Sequence, residues 1–385
     1  MVGALSQIRV LDFSQGHGGP YCTMQLADAG AEVIKVEPPD GDWARALPPF
    51  VGGESAYFMA INRNKKSIVL DLKQPHDLEA ALAMAKRCDV VVENFRPGVA
   101  DRLGIGYEAI AALNPGVVYC SVTALDSDGP EHDLPATELT VQARGGIMRN
   151  LGLPGEPPIR FGEDGLAAAT GNYAAQAVVA ALFHRAKTGE GQRVGASMLR
   201  SVMHLQKLTF TMDCEPDGGR DDPRRRVEET TAGFTTKDLP IGFSFPYMLV
   251  GYPTEERWRE FCARVGLQQI VDDPRFATNF DRTQNAAMLR EYYEDAFKDR
   301  TSAELLAILE DLGALNAVYT DYPNLFNHPQ VIANDMVEEV DHPTAGRMKT
   351  VGFPTKLFET PAQIRTAAPL LGEHTGAVLD GLAKG

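Results

Sequence analysis

The sequence predicts an α/β fold, in which a large domain on an open parallel sheet is followed by a smaller second region. Three observations carry this reading. Strand-like and helix-like segments alternate over roughly the first 200 residues. The first strand, IRVLDF (8–13), runs straight into the glycine-rich turn QGHGGP (15–20) and then a helix. Beyond residue 212 the chain turns polar and turn-rich, and helical patterns then resume.

The elements follow in order. YCTMQLADAG (21–30) has helical patterning, with Pro20 suited to the first helical position and Gly30 to the residue past the end. AEVIKVEPP (31–39) is a second strand stopped by prolines, which completes a βαβ unit with a right-handed crossover. SIVLDL (67–72), HDLEAALAMAKRC (76–88), CDVVVENF (88–95) and GVVYCSV (116–122) extend the alternation. GLAAATGNYAAQAVVAALFHRAK (165–187) is a long alanine-rich helix whose small residues allow close packing. The domains expected are 1–212 for the first part of the large domain, a linker at 213–234, a small domain at 235–325, and a return segment at 326–385. The small domain has helical patterns at 255–266, 285–299 and 302–313, and the tail closes on a helix at 373–382.

Composition removes several classes. The 385 residues are 44% hydrophobic and 23% charged, which excludes a disordered chain and a coiled coil. No uninterrupted apolar run reaches the roughly 18 residues of a membrane helix, and MVGALSQIRVLDF lacks the pattern of a secretory signal. Five cysteines without a CxxC pair point to a reduced, cytoplasmic protein with no structural metal site. A net charge of −15 argues against non-specific nucleic-acid binding. The basic stretch RNKKSIVLDLK (63–73) is nevertheless a candidate anion site.

The first turn resembles a dinucleotide fingerprint only in part. Gly16-x-Gly18-Gly19 is followed by Glu37 at the distance of a ribose-binding acid, but Tyr21 stands where the third glycine belongs. No nicotinamide or flavin is expected.

Several longer segments carry a stronger resemblance. These are LDFSQGHGGPYCTMQLADAGAEVIKVEPPDGD (11–42), NRNKKSIVLDLK (62–73), DVVVENFRPGVADRLGIGYE (89–108), LNPGVVYCSV (113–122), AALFHRAKTGEGQRVGASML (180–199), DDPRFATNFDRTQN (272–285) and APLLGEHT (368–375). In this order they resemble the family III CoA-transferases, the group of formyl-CoA and carnitine CoA-transferases and α-methylacyl-CoA racemases. The resemblance implies a Rossmann-like large domain built from both chain ends, a smaller α+β domain, and two ring-like subunits interlocked as a dimer. It implies coenzyme A as co-substrate, with contacts at His17, Leu70, Lys73, Asn94, Phe95 and Arg102. Cationic and aromatic groups suit the phosphates and adenine of CoA. Pro38 replaces a basic residue common in the family, which removes one phosphate contact.

The family nucleophile is an aspartate in the pattern PP, eight residues, Asp, three residues, Gly. Its carboxylate attacks a thioester to form an acyl anhydride, dividing one difficult exchange into easier steps. Here Pro157–Pro158 through Gly171 align without a gap, and Ala167 occupies the nucleophile position. A methyl group cannot attack. Glu163 and Asp164 precede it, read first as helix-start acids favoured by the helix dipole, with Asp164 the fallback nucleophile. The racemase histidine falls at Thr137. A glycine-bearing turn of the family is Thr123-Ala124-Leu125-Asp126 here, which crowds the thioester, and Gly313-Ala314-Leu315 replaces Gly-Val-Pro.

Three functions follow. The first is a CoA-transferase subunit without its own nucleophile, paired with a homologous Asp-bearing subunit as in succinyl-CoA:benzylsuccinate CoA-transferases. The second is a self-sufficient homodimeric transferase or racemase using Asp164, Glu163 or Glu138. The third is a non-catalytic CoA-binding protein. For the transferase readings the partners are a CoA thioester and a carboxylic acid, and no reading involves nucleic acid or membrane. The apolar GFSFPYMLVGY (242–252) suggests either a hydrophobic acid or a core strand.

Overall fold

The computed structural model describes residues 3–151, 157–162, 164–207, 233–245 and 251–384. Most of the expected linker, Arg224–Arg226 within it, Glu163, and positions 246–250 lie outside the described residues. The chain divides into two compact units: 1–148, 160–214 and 329–385 form one, and 149–159 with 215–328 form the other.

In the first unit the chain runs β1 (Arg9–Asp12), α1 (Gly18–Asp28), β2 (Glu32–Glu37), the hairpin β3 (Phe50–Val51) and β4 (Glu54–Ser55), and α2 (Ala56–Ile61). It continues through β5 (Lys65–Val69), α3 (Pro75–Ala85), β6 (Val90–Glu93), α4 (Val99–Arg102), α5 (Tyr107–Leu113) and β7 (Val118–Thr123). After these come α6 (Glu138–Arg144), α7 (Gly165–Thr188), β8 (Gln192–Ser197) and α8 (Met198–Leu205). Six strands form one sheet in the order β5-β2-β1-β6-β7-β8, every neighbour parallel. The chain builds outward from β1 through β2 to β5, then returns to place β6 on the other side of β1. The order therefore reverses between β1 and β6, and the crevice beyond their carboxyl ends is where open α/β sheets bind ligands.

Both sheet faces are covered, which explains the near-continuous apolar strands VVVE and VYCSVT. Cys22, Leu26, Val33, Val92, Cys120, Ala174 and Val178 pack on one side; Leu11, Val36, Ile68, Ala81, Val91 and Tyr119 pack on the other. Helix α1 starts at Gly18, two residues before the position expected from Pro20. A Cβ on Gly171 of α7 would lie 2.6 Å from the Gly18 carbonyl oxygen, so only glycine allows the two helices to meet there. Helix α7 reaches a mean hydropathy of 1.3 over eighteen residues, which by length and composition would suit a membrane span. Half of that window is buried within the unit, as in a core helix.

The return segment forms the hairpin of β11 and β12 (Val337–His342, Gly346–Val351) and a final helix, Thr375–Lys384. It latches onto β5, where the His374 N–H donates to the Ser67 carbonyl and the Val69 N–H donates to Thr375 Oγ1.

The second unit has its own core. Helices Thr254–Val265, Ala286–Phe297 and Ser302–Asp311 pack with two antiparallel strands, Ile241–Ser244 (β9) and Leu315–Val318 (β10). Phe234, Phe243, Phe261, Tyr293 and Phe297 form a connected aromatic cluster. The Trp258 indole N–H is satisfied by the Tyr293 hydroxyl at 2.8 Å. Phe243 is thus part of the core, the second of the two meanings of the 242–252 segment.

Candidate active site

A cavity of about 890 Å³ opens at the strand-order reversal of the first unit, lined among others by His17, Trp43, Tyr57, Asn94, Phe95 and Ala167. Its walls are the turns after β1, β6 and β7 and the start of α7.

The turn after β1 is locked on three sides. Gly16 has φ +76°, and a Cβ there would lie 2.0 Å from the Trp43 ring, so the indole closes over bare backbone. Asp42 accepts the Gly16 N–H at 2.9 Å. Asn94 then ties this turn to the one after β6: it accepts the Gln15 N–H at 2.8 Å and its amide donates to the Gln15 carbonyl at 2.6 Å. The Asn94 amide, expected as a CoA contact, is therefore engaged in joining the two turns.

Beneath the turn lies a fully buried charge cluster. Lys35 Nζ donates to the Ser14 carbonyl at 2.6 Å and pairs with Asp42 Oδ2 at 2.8 Å. Lys65 Nζ lies 3.3 Å from Asp12 and donates to the Pro20 carbonyl at 2.8 Å. Burial alone would raise the Asp12 carboxyl, but the Lys65 and Lys35 charges and the Ser14 and Thr23 hydroxyls hold it below its ordinary value. Burial pulls Lys65 down to about 8 against the attraction of Asp12. Glu37, the residue at ribose-binding distance, is wholly buried and accepts from Arg45, Ser67 and the Asp42 N–H, so it faces no ligand.

The basic stretch at 63–73 is redirected in the same way. Arg63 pairs with buried Asp28, Lys65 with Asp12, and Lys66 with Glu32. Three of its four cations are thus paired with carboxylates, and the fourth, Lys73, is exposed.

Six positions were expected to contact CoA. His17, Asn94 and Phe95 meet at the cavity. Leu70 is 2% exposed inside the core and presents no side chain there. Lys73 and Arg102 are exposed and lie outside the cavity lining.

At the start of α7, Ala167 lines the cavity. The first helical N–H groups need acceptors, and Glu138 of α6 supplies them. Its carboxylate accepts the Leu166 N–H at 3.1 Å and the Ala167 N–H at 2.8 Å, and is steadied by the Gln142 amide at 2.8 Å. Thr137, at the racemase histidine position, is the N-cap of α6 in a capping box with Thr140. Asp164 is the N-cap residue of α7 yet makes no capping bond. It thus sits at the helix start, as expected, while Glu138 takes the helix N–H groups and Asp164 lines the cavity. Its φ of +56° places a non-glycine residue in the left-handed region, a strained conformation typical of functional sites.

Asp164 Oδ2 lies 4.0 Å from His17 Nδ1, and the Tyr57 hydroxyl is 3.1 Å from the same nitrogen. Burial lowers the His17 pKa, partly offset by the Asp164 charge. Burial, then the Asp164 charge and hydrogen bond, raise the Tyr57 hydroxyl, which stays protonated. Tyr57 and Trp43 belong to no motif. Nothing local in the sequence ties them to residue 17.

Of the altered family turn, Leu125 packs into a core cluster with Val141, Ile147, Leu166 and Val202. Asp126 takes φ +87° and pairs with Arg200, so a carboxylate holds a conformation that glycine usually supplies. Among the described residues, no three His, Cys, Asp or Glu side chains gather to hold a metal ion.

A parallel sheet with a cavity at its order reversal, walled by a glycine turn and the start of a long helix, defines an α/β protein with its ligand site at the switch point. Residues 5–375 match the family described as CoA-transferase family III, and the chain belongs to it. It is 32% identical over 379 residues to the succinyl-CoA:glutarate CoA-transferase of Homo sapiens, covering 97% of this chain and 85% of that one. It is 34% identical over 398 residues to a formyl-CoA:oxalate CoA-transferase of Streptomyces avermitilis, covering 99% and 96%. Among solved structures, a CAIB/BAIF family protein from Brucella suis superposes with a TM-score of 0.88 at 27% identity, covering 99% of this chain and all of that one.

Proposed function

We propose that this chain moves CoA between a CoA thioester and a carboxylic acid as one subunit of a two-subunit enzyme, the acyl-accepting aspartate being supplied by a homologous Asp-bearing subunit. The observation that supports it is Ala167 at the cavity, on a helix start whose other parts are in place: Glu138 holds the N–H groups of residues 166 and 167, and the turn bearing His17 is locked opposite. The family resemblance supports interlocked ring-like subunits. Buried free thiols at Cys22, Cys88, Cys120 and Cys262 suit the reducing cytoplasm. The related enzymes named for glutarate and oxalate suggest a short dicarboxylic acid as acceptor.

The native mass of the protein from its own source tests this reading. A complex containing a second chain of similar size is the expected result; an active homodimer overturns it. Substituting Ala167→Asp in the reconstituted complex should give this chain an acyl group that hydroxylamine removes, because the carboxylate enters a complete helix start.

A second reading has its own observation. Asp164 lies in the cavity beside His17, free of any capping role, and supports a self-sufficient enzyme with a displaced nucleophile. Hydroxylamine-sensitive acylation of the wild-type chain, lost in Asp164→Asn, would favour it.

A further inference from the structure

We propose that His17, Tyr57 and Asp164 form a proton relay that lets this chain hydrolyse acyl-CoA thioesters, with water attacking where a carboxylate attacks in transfer. The inference rests on the reading that the cavity takes a CoA thioester.

The relay is set by geometry. His17 Nδ1 lies 3.1 Å from the Tyr57 hydroxyl oxygen and 4.0 Å from Asp164 Oδ2. With the Nδ1–H donated to Tyr57, and the Tyr57 proton directed at the Asp164 carboxylate, the imidazole lone pair is placed on Nε2. Among the described residues, no hydrogen bond occupies Nε2. Tyr21 stacks on the imidazole at 5.8 Å between centroids and Tyr57 meets it edge-on at 5.5 Å, which restricts its rotation. The carboxylate that Ala167 lacks would fill a volume on the order of one or two water molecules, which leaves room for the attacking water.

In the reaction, the water oxygen bonds to the thioester carbonyl carbon while Nε2 takes one of its protons. The tetrahedral species collapses, the carbon–sulfur bond breaks, and the departing thiolate takes the proton from Nε2. The products are the free acid and CoA thiol. No oxidant, reductant or further co-reactant takes part. Asp164 stays ionised and, through Tyr57, stabilises the imidazolium formed during attack. The strain at Asp164 and the assignment of helix capping to Glu138 are accounted for together, because both leave the Asp164 carboxylate facing His17.

The test uses the protein as purified from its own source, with butyryl-CoA and glutaryl-CoA as probes and release of free thiol as the readout. Thiol release above the spontaneous rate is expected. His17→Gln should lower kcat on the order of 10²–10⁴-fold, beyond any rise in KM from its expected CoA contact, and Tyr57→Phe should lower it less. The rate should rise with pH through a titration below the ordinary imidazole range, because burial disfavours the imidazolium; Asp164 opposes this in part, and Tyr21 and Tyr57 stay neutral. A single turnover in ¹⁸O-water should label the released acid and leave the Asp164 peptide unlabelled. Label in that peptide overturns the relay in favour of a nucleophilic Asp164. A protein that binds CoA by calorimetry yet releases no thiol, or that is indifferent to His17→Gln, also overturns it. Failure to bind CoA at all overturns the proposed function and this inference with it.

Discussion

Two groups of charges in the first unit, one under the glycine turn and one at the start of α7, are used in opposite ways. Under the turn, Asp12, Lys35, Glu37, Asp42, Arg45 and Lys65 pair with one another, and each carboxylate also accepts from backbone or a hydroxyl. These charges are fully committed to the fold. At the start of α7, Glu138 alone serves the helix, while Asp164 keeps a strained backbone and an open carboxylate. A carboxylate that secures structure is unavailable for chemistry, and one left for chemistry contributes little to structure. The difference separates scaffold from site more clearly than residue type does.

The sharpest way to break this comparison is Lys35→Met. It strands the buried Asp42 carboxylate and frees the Ser14 carbonyl, and a loss of about 3–5 kcal/mol in denaturant unfolding is expected. Glu138→Ala should cost less, about 1–3 kcal/mol, because two buried helix N–H groups lose their acceptor. Its circular dichroism should show local loss at α7 rather than global unfolding. Asp164→Gly lies at the other extreme. Glycine accepts positive φ freely, so stability should hold or rise by up to about 1 kcal/mol, even as thiol release from acyl-CoA falls. If Asp164→Gly proved as destabilising as Lys35→Met, Asp164 would belong with the scaffold.

The parallel sheet, five of its six strands and the long helix were legible because they rest on local patterning: apolar runs, glycine turns and the alternation of elements; the strand order and β8 were not. The motif order from residue 11 to residue 375 carried the family in the same way. Much of the candidate site was not legible. Lys65 and Lys73 look alike in sequence, yet one is buried against Asp12 and the other is exposed. Leu70 and Phe95 look equally able to face a ligand, yet only Phe95 lines the cavity.

What the sequence determined by itself, then, was the architecture and the family, since each depends on residue type and spacing along the chain. What only the tertiary structure decided was which charges are matched. Arg63 finds Asp28 across 35 residues, Arg45 finds Glu37 across 8, and Asp164 is relieved of capping by a residue on another helix. Whether a charge is neutralised depends on its neighbours in space and on burial, which long-range packing sets and local sequence does not record.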